Sequence, residues 1–176
     1  WANGCMNTQL VTVTVNPKPE LSTATVLSPI CDSSSIFYVP NSLTTGTTYA
    51  WNRAAIGGTA AATGTDTISS TLYNNTVNPI TVVHTYTLTA NGCTNTQDVS
   101  VVVNPTPKLS SSLTPPALCD SQIFNYTPMS GTLGSAFAWV RPFVLGIGLP
   151  ASSGTGNPNE QMINNTHGNL NVTYVY

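Results

Sequence analysis

The chain has 176 residues, 40% hydrophobic and only 6% charged, with four Lys+Arg against six Asp+Glu and a net charge of −2. That length is enough to bury a core in one or two domains, and this much apolar content with so little charge is the reverse of a disordered composition. Four dispersed cations exclude the basic footprint that nucleic acid or an anionic membrane surface requires.

No run of about 18 apolar residues is present, so no helix is expected to cross a bilayer. Thr, Ser and Asn fill the polar positions instead of charges, as in secreted β-proteins. The sequence opens on WANGC with neither an initiator Met nor a signal-like segment. A processed protein or a window of a longer one is therefore expected.

In chain order, the first legible element is LVTVTV (10–15), which sets Val11, Val13 and Val15 on one face against Thr and Leu. This period-2 pattern predicts a half-buried strand. The next is TTYAWNR (47–53), with an aromatic two residues before Trp51 on the same face. Residues 56–66, rich in Gly and Thr, read as a loop. ITVVHTYTLTA (80–90) aligns Ile80, Val82, Tyr86 and Leu88, and the following Asn91-Gly92 is a strong hairpin signal into DVSVVV (98–103). SAFAWVR (135–141) repeats the aromatic-x-Trp pattern, and residues 151–159 read as a second loop. Nothing shows a capped 3.6-residue period, so no helix is expected.

The chain repeats itself, which decides its organisation. Residues 3–19 (NGCMNTQLVTVTVNPKP) and 91–107 (NGCTNTQDVSVVVNPTP) are identical at twelve of seventeen positions. Cys5 and Cys93 lie 88 residues apart, as do Cys31 and Cys119, Tyr38 and Tyr126, Trp51 and Trp139, and Arg53 and Arg141. Past the tryptophans the offset becomes 90, pairing Asn74-Asn75-Thr76 with Asn164-Asn165-Thr166. The expected division is 1–19 as the C-terminal strands of one repeat, 20–107 as a complete repeat, and 108–176 as a following repeat lacking its last strand or strands. The phase leads to the expectation of a two-period slice from a longer tandem array. Six or seven short strands in each repeat of about 88 residues, with frequent turns, predict an all-β fold of antiparallel β-sandwiches. Proline in VNPKP and VNPTP marks strand ends and short stiff linkers.

The matched cysteines point to an oxidising compartment. Within the complete repeat, Cys31 and Cys93 flank Trp51, the order of a sandwich whose sheets are linked by a disulfide beside a buried Trp. Cys5 and Cys119 would then pair outside the window. The competing scheme joins Cys5 to Cys31 and Cys93 to Cys119 across the proline linker.

Together, CDSSSIFYVP, TTGTTYAWNR, LYNNTVNPITVVHTYTLTANGC and VSVVVNPTP resemble the PKD-like, immunoglobulin-fold repeats of Bacteroidota surface proteins. These include the giant gliding-motility adhesins exported by the type IX secretion system. The likeness covers essentially the whole chain, although the W-x-F-G-D-G loop of the founding PKD domains is replaced by Asn-Arg-Ala-Ala after Trp51. The resemblance implies an extracellular stalk or filament engaged in adhesion or gliding. Its partners would be neighbouring repeats of the same chain, with lateral filament contacts or a surface polysaccharide beside them.

No catalytic residue, cofactor or metal site is expected. The carboxylates Glu20, Asp32, Asp66, Asp98, Asp120 and Glu160 are dispersed, and of these only Asp32 and Asp120 correspond, which suits a turn or cap. Calcium would need clustered oxygens, and Asp32 and Asp66 are the only candidates. Trp51 and Trp139 read as core anchors, Trp1 as exposed or unit-specific, and His84 as a packing variant of Tyr174. Arg53 and Arg141 call for a carboxylate or strand-end carbonyls. Asp66-Thr67-Ile68 matches an O-glycosylation acceptor pattern at Thr67, and N-x-Thr triplets occur at Asn74, Asn125, Asn164 and Asn171.

Two rivals accompany the stalk reading. One is a separate filament subunit in which residues 1–19 are donated to a neighbouring sandwich. The other is a carbohydrate-binding module of a secreted enzyme, which requires exposed tryptophans.

Overall fold

The computed structural model describes residues 3–176, so the reading of Trp1 falls outside the described residues. The chain is all-β, with no helix among the described residues. It divides into two compact units, one comprising the residues up to Asn74 with Ile80–Val103 and the other Asn75–Pro79 with Asn104–Tyr176.

The first unit is built from β1 (Ile30–Cys31), β2 (Ser34–Tyr38), β3 (Thr48–Arg53), β4 (Ala62–Thr65), β5 (Ile68–Leu72), β6 (Ile80–Ala90) and β7 (Cys93–Asn104). Five of these form a sheet in the order β1-β7-β6-β3-β4, while β2 and β5 pair separately. Alternation explains the long strands. Along β6, Val82, His84, Tyr86, Leu88 and Ala90 are buried, and along β7 Val99, Val101 and Val103 are buried. These meet Ile36, Tyr38, Ile68 and Leu72 of the β2–β5 pair in one core cluster. The β6–β7 hairpin turns at Asn91 (φ 50°) and Gly92 (φ 80°), directly after the Ala90–Cys93 pair. Two successive left-handed residues give the turn whose twist suits a two-residue hairpin, so Asn-Gly acts here as expected.

Two expectations are corrected. Segment 10–15 is not a strand. Its backbone has no ladder partner, and Val11, Val13 and Val15 are 93%, 81% and 85% exposed. A period-2 pattern supplies a face, but a strand also needs an edge on which to place its N–H and C=O groups. The segments read as loops at 56–66 and 151–159 contain β4 and a strand of the second unit. Alternating Thr residues suffice for pairing at an edge, where the Gly within each run admits a neighbouring Trp.

The second unit contains β8 (Ile123–Asn125), β9 (Ala138–Arg141), β10 (Ser152–Thr155) and β11 (Asn159–Gln161). Its pairings repeat those of the first at the sequence offset. Trp51 opposes Gly64 and Trp139 opposes Gly154, Ile36 opposes Ser70 and Phe124 opposes Glu160, and Asn52 opposes Thr85 as Val140 bridges Val175. Among the described residues, nothing in this unit takes the place that β7 has in the first.

Candidate functional site: a buried arginine in each unit

Two of the four basic residues end equivalent strands, and both are buried: Arg53 on β3 is 7% exposed and Arg141 on β9 only 1%. A buried cation must find acceptors for its fixed fork of donors. Arg53 donates from Nε and Nη2 to the Ala60 carbonyl at 3.2 and 3.1 Å, and from Nη1 to Ser70 Oγ at 3.0 Å. Nη1 also lies 3.2 Å from His84 Nε2. A guanidinium only donates, so Nε2 is the acceptor and the ring proton sits on Nδ1. Burial first, and the Arg53 charge second, push the His84 pKa down from 6.5 to about 4. Trp51 meets the His84 ring edge-on at 5.5 Å.

Arg141 keeps the same carbonyl contact, donating to Pro150 O at 2.6 Å, but its remaining partners differ. Nε and Nη2 reach the Glu160 carboxylate at 2.7 and 3.2 Å as a bidentate pair. The Tyr174 hydroxyl donates to the same carboxylate. Burial works to raise the Glu160 pKa, yet the bonds from Arg141 and Tyr174 outweigh it and hold the group below its usual range. The bond to Glu160 raises the pKa of Arg141, whereas burial alone lowers that of Arg53. Trp139 meets the Tyr174 ring at 5.3 Å, as Trp51 meets His84. Ser70 and His84 have thus been exchanged together for Glu160 and Tyr174 around the same arginine.

Other equivalent residues also bond internally. The backbone N–H of Asn74 donates to Asp32 at 2.7 Å, and that of Asn164 donates to Asp120 at 2.7 Å. Tyr38 and Tyr126 each share a hydroxyl bond with Thr23 and Ser111. The two carboxylates therefore tie loops, and neither sits in a ligand-binding cluster with the other acids.

Trp139 is buried and Trp51 is half-buried against the core cluster. Each lies over a glycine of the neighbouring strand: a Cβ on Gly64 would come 2.6 Å from Trp51, and one on Gly154 would come 2.8 Å from Trp139. Thr67 is half-buried between β4 and β5, next to Asp66 at φ 55°.

The expected Cys31–Cys93 disulfide is not formed; both thiols are free, as are those of Cys5 and Cys119. Topology gives the reason. Asn74 donates from its backbone to Asp32 and from Nδ2 to Val103 O, both at 2.7 Å, which places residue 32 beside the end of β7. Cys93 opens the same strand ten residues earlier. Ten residues of strand span about 33 Å, whereas bridged Cα atoms lie within about 7 Å.

Sequence reasoning missed Glu160 and the two glycines. Extending the 90-residue offset to every position would have set Ser70 against Glu160 and Gly64 against Gly154. No family model matches the chain, and no curated protein shows a significant match to it.

Proposed function

We propose that this chain is a non-catalytic structural segment of an extracellular filament or stalk in a large bacterial surface adhesin, built from tandem immunoglobulin-like β-sandwiches. The observation that carries the reading is how the recurring residues are used. Each unit spends its Arg, Asp, Trp and Gly equivalents on internal bonds and packing, which suits a repeated spacer better than a repeated ligand site. The two exchanges around the arginine support it further, because they preserve the packing role while changing the chemistry. A catalytic group would not survive replacement of Ser and His by Glu and Tyr.

The uncharged Thr- and Asn-rich surface suits exposure to varying salt and pH, since little on it titrates. The resemblance to PKD-like repeats of gliding adhesins points the same way. The test is an antibody raised against residues 20–107, applied to intact cells that make the protein. Surface labelling, together with a band of several hundred kilodaltons on a denaturing gel, is the expected result. Signal that appears only after lysis would overturn the proposal.

A further inference from the structure

Arg53 ties together the two sheets of the first unit. It ends β3 in the five-stranded sheet, and its Nη1 donates to Ser70 Oγ on β5 of the separate β2–β5 pair. The same Nη1 lies 3.2 Å from Nε2 of His84, which is 1% exposed on β6. That second bond needs the lone pair of a neutral imidazole.

Among the described residues, nothing packed around His84 supplies a negative charge. Trp51 of β3 meets its ring edge-on, Val99 of β7 stands opposite it, and the core adds Tyr38 of β2 and Tyr86 of β6. Tyr86 donates its hydroxyl to the Asp66 carbonyl, and Tyr38 shares its own with Thr23. The acids of this unit lie elsewhere: Glu20 and Asp66 are exposed, Asp98 accepts from Thr85 on the outer face, and Asp32 accepts from the Asn74 backbone. The Nδ1–H of His84 is buried with no acceptor among the described residues. A second ring proton has only Nε2 to enter, where it meets the Nη1 donor and sets two cations side by side in an apolar core.

We propose that His84 and Arg53 form an acid-released latch between the two sheets of the first unit. Protonation at Nε2 removes the acceptor, and the repelled guanidinium leaves Ser70. The β2–β5 pair then loses its tie to β3, and a two-stranded pair on its own is marginal in water, so it frays. Burial and the Arg53 charge hold the His84 pKa down at about 4 in the closed unit, against 6.5 when the ring is solvated. The open form takes up the proton first, so opening rises as pH falls below 6.5. Linkage sets the growth of the open population at about 20-fold from pH 7 to 5 and about 100-fold from pH 7 to 4. The second unit lacks the latch: Glu160 and Tyr174 replace Ser70 and His84, and the Glu160 carboxylate is held below its usual range. Acid thus loosens one unit and spares the equivalent site of the other, wherever the protein resides.

The full chain is followed by hydrogen exchange between pH 7 and 4, with rates corrected for the intrinsic effect of pH. Protection of the β5 amides should fall about 100-fold, and that of the β9 amides by less than about tenfold. His84→Gln keeps an acceptor for Arg53 without titrating, and should hold the change at β5 below about tenfold. The double change Ser70→Glu with His84→Tyr installs the chemistry of the second unit and should do the same. In the unaltered chain, NMR should find the Nδ1–H tautomer of His84 at pH 7 and a titration near 4. An imidazole that titrates at its ordinary 6.5 overturns the proposal even if neither variant folds. So does β5 protection that ignores pH, that falls as steeply in His84→Gln, or that falls equally at β9.

Discussion

Residues 9–15 and 97–103 are near copies in sequence and opposites in structure. Val99, Val101 and Val103 are at most 1% exposed, whereas Val11, Val13 and Val15 are more than 80% exposed. The difference is the neighbour: β7 has Ile80–Ala90 on one side and a parallel contact at Val26 on the other, and segment 9–15 has neither. Strand patterning is thus a capacity, and the sheet edge that uses it is a separate fact about the fold.

The largest way to break this comparison is Val101→Asp. It places an unpaired carboxylate at the centre of the first core, with a cost of about 5 kcal/mol or more, comparable to the whole stability of a domain this size. Loss of the first unit's cooperative unfolding transition in calorimetry is the expected outcome.

The arginine sites allow a sharper comparison between units. Glu160→Ala leaves Arg141, 1% exposed, with a buried charge and no carboxylate, held by the Pro150 carbonyl and the Tyr174 hydroxyl, and should cost about 3 kcal/mol. Ser70→Ala at the equivalent position removes one bond from an arginine that never had a carboxylate, and should cost about 1 kcal/mol. Exchange of the Val140 amide, bonded to Val175 O, reports the first loss locally.

The same contrast appears in acid. His84 has a folded-state pKa near 4 against an ordinary 6.5, so the unfolded chain takes up the proton first. The stability of the first unit is full above about pH 6.5 and falls as pH drops toward 4, by at most roughly 3 kcal/mol. His84→Gln should flatten that slope, and denaturant midpoints measured from pH 7 to 4 check it. Equal responses distinguish the two units less but confirm their common frame. Gly64→Ala and Gly154→Ala should each cost about 2 kcal/mol, because in both places the new Cβ meets a Trp ring rather than open space.

How much of this was legible follows the same physics. The β6–β7 hairpin was readable because alternation, length and Asn-Gly agree locally. The second-unit pairings were readable through the repeat, although β10 hid in a Thr- and Gly-rich run whose strand character comes from its neighbour β9. Glu160 was unreadable as an ion-pair partner, since it lies on β11 and meets Arg141 of β9 through tertiary packing alone. The cysteine pairing failed for a related reason: Cys…Trp…Cys gives an order along the chain, whereas a bridge needs coincidence in space, and the parallel run past Val26 carries Cys31 to the far end of β7 from Cys93.

The smallest expected effect is the most discriminating. Val13→Asp makes the substitution of Val101→Asp at the copied position, yet it should change the stability of the chain by no more than about 0.5 kcal/mol. Val13 is 81% exposed, so the new carboxylate stays hydrated and no packing is lost. An unchanged melting temperature, measured beside the collapse caused by Val101→Asp, would show that burial depends on the neighbouring strand and not on the valine pattern. If stability fell, segment 9–15 would be packed within its own chain, and the exposure of its valines would be wrong.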